Sequence, residues 1–145
     1  MAPTTPGPRP PSWPGADVPL QVELVSPERI LFSGEAREVV ARTAGGDIAF
    51  LEGHVPFIGT LQIHPVQIHM LDGTVEEVAV HEGFVECAHD RVTILSDVAE
   101  LKSQIDVARA EAARARAEAN AEQLDDVERE AALRRAHVRL QVAQG

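Results

Sequence analysis

Arg135 and Arg139 stand four residues apart, and Asp106 and Arg109 three apart. On a helix, positions at these spacings share a face, so the two arginines repel each other unless an anion lies between them. A phosphate group would serve, held by bidentate guanidinium contacts, and an antiparallel fold of the C-terminal region would bring Arg116 toward the same place. The alternatives stay open at this level. Arg135 and Arg139 would equally complement the dipole at a helix C-terminus. Asp106 and Arg109 would equally form a surface ion pair worth a few tenths of a kcal/mol.

A second constellation is His81, Cys87 and His89, which share strand parity and would offer a thiolate and two imidazoles to a metal. Strand rise argues against it. From His81 to His89 a straight strand spans roughly 26 Å, so a shared site requires a sharp bend. The six histidines are scattered, which disfavours the alternative of a small β-sandwich metalloenzyme with a helical tail. No Gly-x-x-x-x-Gly-Lys and no Gly-x-Gly-x-x-Gly occurs, so any nucleotide would be a bound ligand and not a substrate.

Three regions must position these residues. Residues 1–17 hold six prolines and are expected to be a disordered extension, with Trp13 as a candidate docking anchor or an incidental aromatic. Residues 18–97 carry short β-branched runs broken every 8 to 12 residues by turn signals, the pattern of an all-β sandwich. Ile68 and Met70 alternate with Gln67 and His69, and Val78 and Val80 with Glu77 and Ala79, while Asp72-Gly73 between them marks a hairpin. Ser33-Gly34 reads as a break between two strands.

Residues 98–145 lack proline, lack glycine before Gly145, and are rich in Ala, Glu, Arg, Leu and Gln, which predicts two helices. Leu101, Ile105, Ala108, Ala112, Ala115 and Ala119 would form one seam, and Leu133, Ala136, Leu140 and Ala143 its partner. Asn120 would close the first helix, and Asp125 with Glu128 would cap the second, giving an antiparallel hairpin with its turn near residues 121–125. A mostly alanine seam buries little apolar area, so the hairpin should be held weakly.

Bulk properties narrow the partners. A net charge of -10 without a basic, aromatic-laced stretch excludes nucleic acid as an expected partner. No stretch approaches the roughly 20 apolar residues that span a bilayer, so membrane association would come only through another protein. The single cysteine, Cys87, suits a reducing compartment, and no secretory signal opens the chain.

Several segments together resemble the epsilon subunit of bacterial F-type ATP synthases: Val22-Glu23-Leu24-Val25-Ser26-Pro27-Glu28, Glu52-Gly53-His54-Val55-Pro56-Phe57, Gly83-Phe84-Val85-Glu86 and Val92-Thr93-Ile94-Leu95. Ile105-Asp106-Val107-Ala108-Arg109-Ala110 is similar to that family's nucleotide motif. The resemblance covers residues 20–143. It implies a flattened antiparallel β-sandwich of about ten strands followed by a two-helix hairpin, a non-catalytic stalk subunit that couples gamma to the ring of c subunits on the cytoplasmic face of the membrane. It implies no required cofactor and no metal, with ATP as a regulatory ligand at Glu100, Ile105, Asp106, Arg109, Ala110, Arg116, Arg135 and Arg139. An extended hairpin would reach the alpha and beta subunits and restrain hydrolysis. The loop carrying Asp47 and His54 would face the c-ring.

Overall fold

The computed structural model describes residues 19–120, 123 and 125–145. The expected N-terminal extension lies outside them. Nine strands lead into two helices: β1 (Leu20–Val25), β2 (Ile30–Thr43), β3 (Gly46–Leu51), β4 (Phe57–Leu61), β5 (His64–Met70), β6 (Val75–Val80), β7 (Gly83–Ala88), β8 (Arg91–Leu95) and β9 (Ala99–Leu101), then α1 (Val107–Ala119) and α2 (Asp126–Gln144).

The expectation of a β-sandwich with a C-terminal helical pair holds, with nine described strands where about ten were expected. Ser33-Gly34 does not break the chain. β2 runs unbroken for 14 residues, pairing with β1 over Ile30–Ala36 and with β3 and β5 over its second half. A register shift between Ala36 and Glu38 bends it there, so one strand serves both layers of the sandwich. The sheet order β1-β8-β7-β4-β2, closed by the β1–β2 pairing, makes the body a flattened barrel. The pairs are antiparallel except β1 with β8, which is parallel.

Alternation builds the core. Leu20, Val22 and Leu24 of β1, Val39 and Ala41 of β2, Val85 and Cys87 of β7, and Val92 and Ile94 of β8 all point into one buried cluster with Phe50, Ile68, Val78 and Val80. β4 escaped the sequence reading because Gly59 interrupts it. A side chain there would meet the Phe57 ring at 2.8 Å, so glycine is what lets that aromatic lie along its own strand. β9 also escaped, being three residues long, yet it pairs with β6 and extends the sheet to Leu101.

That pairing alters the first predicted helical seam. Leu101 lies in a strand and Ile105 in extended backbone after a short 3-10 turn at Lys102–Gln104. Within α1 the buried positions are Ala110 and Ala117, whereas Ala108, Ala112, Ala115 and Ala119 face solvent. The helix begins later than the alanine periodicity suggests, because β9 claims the residues that would set its phase. In α2 the predicted Ala136 and Leu140 are buried, joined on the opposite face by Val138 and Val142. Asn120 ends α1 as read, and Asp125 caps α2 with half of the expected capping box: its carboxylate accepts from the Glu128 amide at 2.8 Å.

Candidate functional site

The hairpin rests on the outer face of the sheet through a small apolar contact. Ala79 of β6 is fully buried although it points away from the main core, because Val138 and Val142 of α2 cover it, flanked by Ile63 and Ile105. Alanine at this position lets the helix approach the sheet closely. The α2 helix thus uses one face for α1 and the other for β6.

Polar contacts frame this seam. Glu100 of β9 receives the Arg139 Nε–H at 2.6 Å, and both side chains are about three-quarters covered. The same Glu100 oxygen lies 3.2 Å from Nε2 of His81, which sits in the turn after β6. At the far end of α2, the Lys102 ammonium donates to the Gly145 carbonyl oxygen, a cation placed at a helix C-terminus. Strand, turn and helix are joined by one carboxylate.

His81 is held neutral. Burial first, then the Arg139 charge, push its pKa down from 6.5 to about 4, against the opposing pull of Glu100, and Arg135 adds to the depression. Nε2–H donating to Glu100 leaves Nδ1 buried with no hydrogen-bond partner among the described residues. Protonation would place a second N–H there with nothing to accept it. Because the folded pKa lies below the unfolded value, the unfolded chain binds the extra proton between pH 6.5 and 4. Stability is therefore whole above about pH 6.5 and falls as the pH drops toward 4, with an expected loss of about 1–3 kcal/mol. Urea melts across this range will show a shallower slope in His81→Gln; equal slopes would remove His81 as the cause.

The predicted nucleotide residues are only partly gathered. Glu100 and Arg139 touch, and Ala110 is buried. Asp106 does not pair with Arg109 through its side chain; its carboxylate caps α1 by accepting the Arg109 amide at 3.0 Å. Arg109, Arg116 and Arg135 are exposed, with no ion pair to a described residue. The antiparallel helices set Arg109 near the level of Arg135, whereas Arg116 falls near Arg129, about 9 Å along the axis from Arg135. The anion beside Arg139 is thus a protein carboxylate, a partner the arginine spacing could not reveal. A cleft of about 820 Å³ next to this region borders His81, Ser96 and Arg134 but none of the eight residues.

The remaining candidates separate. Asp47 sits at the β2–β3 hairpin, paired with Arg42 at 2.7 Å, which holds its carboxyl below the usual range. His54 follows the other end of β3, its ring edge-on to Phe50 and its Nδ1 2.7 Å from the Val55 carbonyl oxygen. Asp47 is the second residue of β3 and His54 lies three residues past its end, so no single loop carries both. His81, Cys87 and His89 also stay apart: Cys87 is in the core, His81 faces the hairpin and His89 is exposed in a turn. Among the described residues no group of three His, Cys, Asp or Glu side chains is placed to hold a metal ion.

What the fold and this site define is a rigid β-body carrying a lightly docked two-helix arm. Residues 19–102 match the family profile described as ATP synthase, Delta/Epsilon chain, beta-sandwich domain. The ATP synthase epsilon chain of Streptomyces griseus is 46% identical over 121 residues, covering 83% of this chain and 92% of that one. That of Shouchella clausii is 38% identical over 126 residues, covering 86% and 94%. The chain belongs to the ATP synthase delta/epsilon chain family. The fold recurs in a chain of the Euglena gracilis mitochondrial ATP synthase, OSCP/F1/c-ring, with a TM-score of 0.75 at 19% identity, covering 88% of this chain and 82% of that one.

Proposed function

We propose that the chain is a non-catalytic rotor subunit of the central stalk of an F-type ATP synthase, at the cytoplasmic face of the membrane and bound to it only through the complex. The β-sandwich joins gamma to the c-ring. The hairpin is the regulatory arm: docked it leaves hydrolysis free, and extended along gamma toward the alpha and beta subunits it restrains it. The observation that carries the mobile-arm reading is the small seam between arm and body, in which Val138 and Val142 cover Ala79 between Ile63 and Ile105, with the Arg139–Glu100 and Lys102–Gly145 contacts beside it. Such a contact allows two arrangements separated by a few kcal/mol, the condition for a switch. Affinity purification from the native host tests the assembly, and recovery without gamma would sink it.

ATP acts in this proposal as a ligand that favours the docked arm. Arg109 and Arg135 are exposed at one level of the hairpin, and Arg139 stands beside them already partnered by Glu100. Phosphate oxygens would engage Arg135 and compete with Glu100 for Arg139, while Ile105, Asp106 and Ala110 shape the entry of α1. Titration calorimetry is expected to show saturable ATP binding, weakened about ten- to a hundredfold in Arg135→Ala by loss of one charge-assisted contact. Arg135 supplies the decisive variant because, unlike Arg139, it makes no described ion pair with the sheet. Undiminished binding in Arg135→Ala and Arg139→Ala would reject this site.

A further inference from the structure

His81 stands where strand, turn and arm meet. It follows β6, and its amide donates to the Val98 carbonyl at 3.0 Å, which ties its turn to the residue before β9. Its side chain is only 3% exposed. Glu100 of β9 accepts from Nε2–H at 3.2 Å, and the same carboxylate oxygen accepts from Arg139 of α2 at 2.6 Å. An ionised carboxylate can only accept, so the proton of neutral His81 is on Nε2, and Nδ1 is buried with no partner among the described residues.

We infer that His81 is a proton-operated latch for the arm: the neutral imidazole fits the docked hairpin, and protonation of its unpartnered nitrogen releases α2 from the sheet. The inference rests on the reading of the hairpin as a mobile regulatory arm. Charges on each side set its direction. From the arm, Arg139 and Arg135 act on the imidazole through their charge, and Arg134 lines the cleft that His81 borders. From the body come Glu100, and Asp97 and Glu82 at the same cleft.

While the arm is docked, a positive His81 would face these guanidiniums, share its carboxylate with Arg139 and bury a second N–H that nothing accepts. Once α2 leaves, its cations go with it, water reaches Nδ1, and Glu100 faces the imidazole alone. Protonation is therefore easier in the released state, and release takes up a proton. In the docked chain the His81 pKa is lowered from 6.5 to about 4. Docking is thus whole above about pH 6.5, and its equilibrium constant falls about tenfold for each pH unit below that, toward pH 4. Acidification moves the arm toward the extended form that restrains hydrolysis.

Nuclear magnetic resonance of the full chain tests this, with docking read from the amide of Ala79, which α2 covers, and the His81 ring signal identified by its loss in His81→Gln. Val142→Arg is expected to release the arm without adding a carboxylate that could itself favour the imidazolium. Its His81 ring should titrate at a pH at least about one unit higher than in the parent. His81→Gln keeps a neutral N–H donor for Glu100, so between about pH 7 and pH 5 its docked-to-released ratio should fall at least about tenfold less than the parent's. If that variant fails to dock, the comparison of ring titrations decides. Equal His81 titration in the parent and in a released Val142→Arg would overturn the latch and leave the mobile arm standing, as would parent docking no more sensitive to acid than that of a docked His81→Gln. An arm that stays docked in Val142→Arg would remove the mobile-arm reading and the latch with it.

Discussion

Val142→Asp will release the helical hairpin while leaving the sandwich folded. Val142 is fully buried against Ala79, and its removal forfeits about 2 kcal/mol of apolar burial. The aspartate adds a larger loss, since an unpaired carboxylate in that seam costs several kcal/mol to desolvate. The few contacts that remain, chiefly Val138 on Ala79 and Arg139 on Glu100, cannot offset both. Hydrogen exchange will show residues 107–144 losing protection together, because a free two-helix pair of this length is marginal in water. Strands β1, β7 and β8 will keep theirs. Val127→Asp, at a site 78% exposed, serves as the control and will change nothing. Retained protection of the hairpin in Val142→Asp would mean that other contacts hold the arm, and the proposed switch would lose its physical basis.

The second large effect is expected at Gly83, the first residue of β7. Its φ of +151° is one that side chains rarely adopt, and a Cβ there would lie 2.1 Å from the Leu95 carbonyl oxygen of β8. That neighbour is backbone, fixed by the β7–β8 pairing in which Phe84 faces Leu95, so it cannot swing aside. Backbone strain of about 1–3 kcal/mol and a comparable overpacking cost place Gly83→Ala at roughly 3–5 kcal/mol of destabilisation. The loss falls on the body and not on the arm: the thermal midpoint of the whole sandwich will drop, most visibly with the hairpin already released. A variant within about 1 kcal/mol of the parent would show that the His81–Gly83 turn can relax, contrary to its packing under Ser96, whose hydroxyl donates to the Glu82 carbonyl at 2.6 Å.

How the arm meets the body separates what local sequence encodes from what it does not. Period-two alternation made β5 and β6 legible, and Asp125 announced the start of α2, because each of these signals is complete within a few residues. Ala79 gave no such signal. In an alternating strand it occupies an outward position, and it is buried only because a helix some 60 residues later covers it. His81 was visible merely as one of three scattered metal-binding residue types; its role as a neutral donor to Glu100 depends on β9 and α2 arriving beside it. The Asp106–Arg109 spacing suggested a shared helix face, but Asp106 is the extended N-cap of α1 and only Arg109 is helical. It did not reveal that the carboxylate would turn to the free amides at the helix start, where an unmet backbone donor outbids a solvated guanidinium.

A β-body followed by a two-helix hairpin, the close of the first helix at Asn120 and the start of the second at Asp125, and, through ordered segments from Val22 to Ala110, the family were all legible in the sequence. Turn chemistry, strand alternation and helix caps act over a few residues, so composition and spacing suffice to specify them. Tertiary structure alone decided that β2 is one bent strand shared by both layers, that β9 shifts the start of α1, that Asp47 and His54 stand at opposite ends of β3, and that Glu100 is the anion beside Arg139. Each of these depends on which distant segment lies within a few ångströms, and the strength of a buried contact is set by that neighbour and not by the residue's own place in the chain.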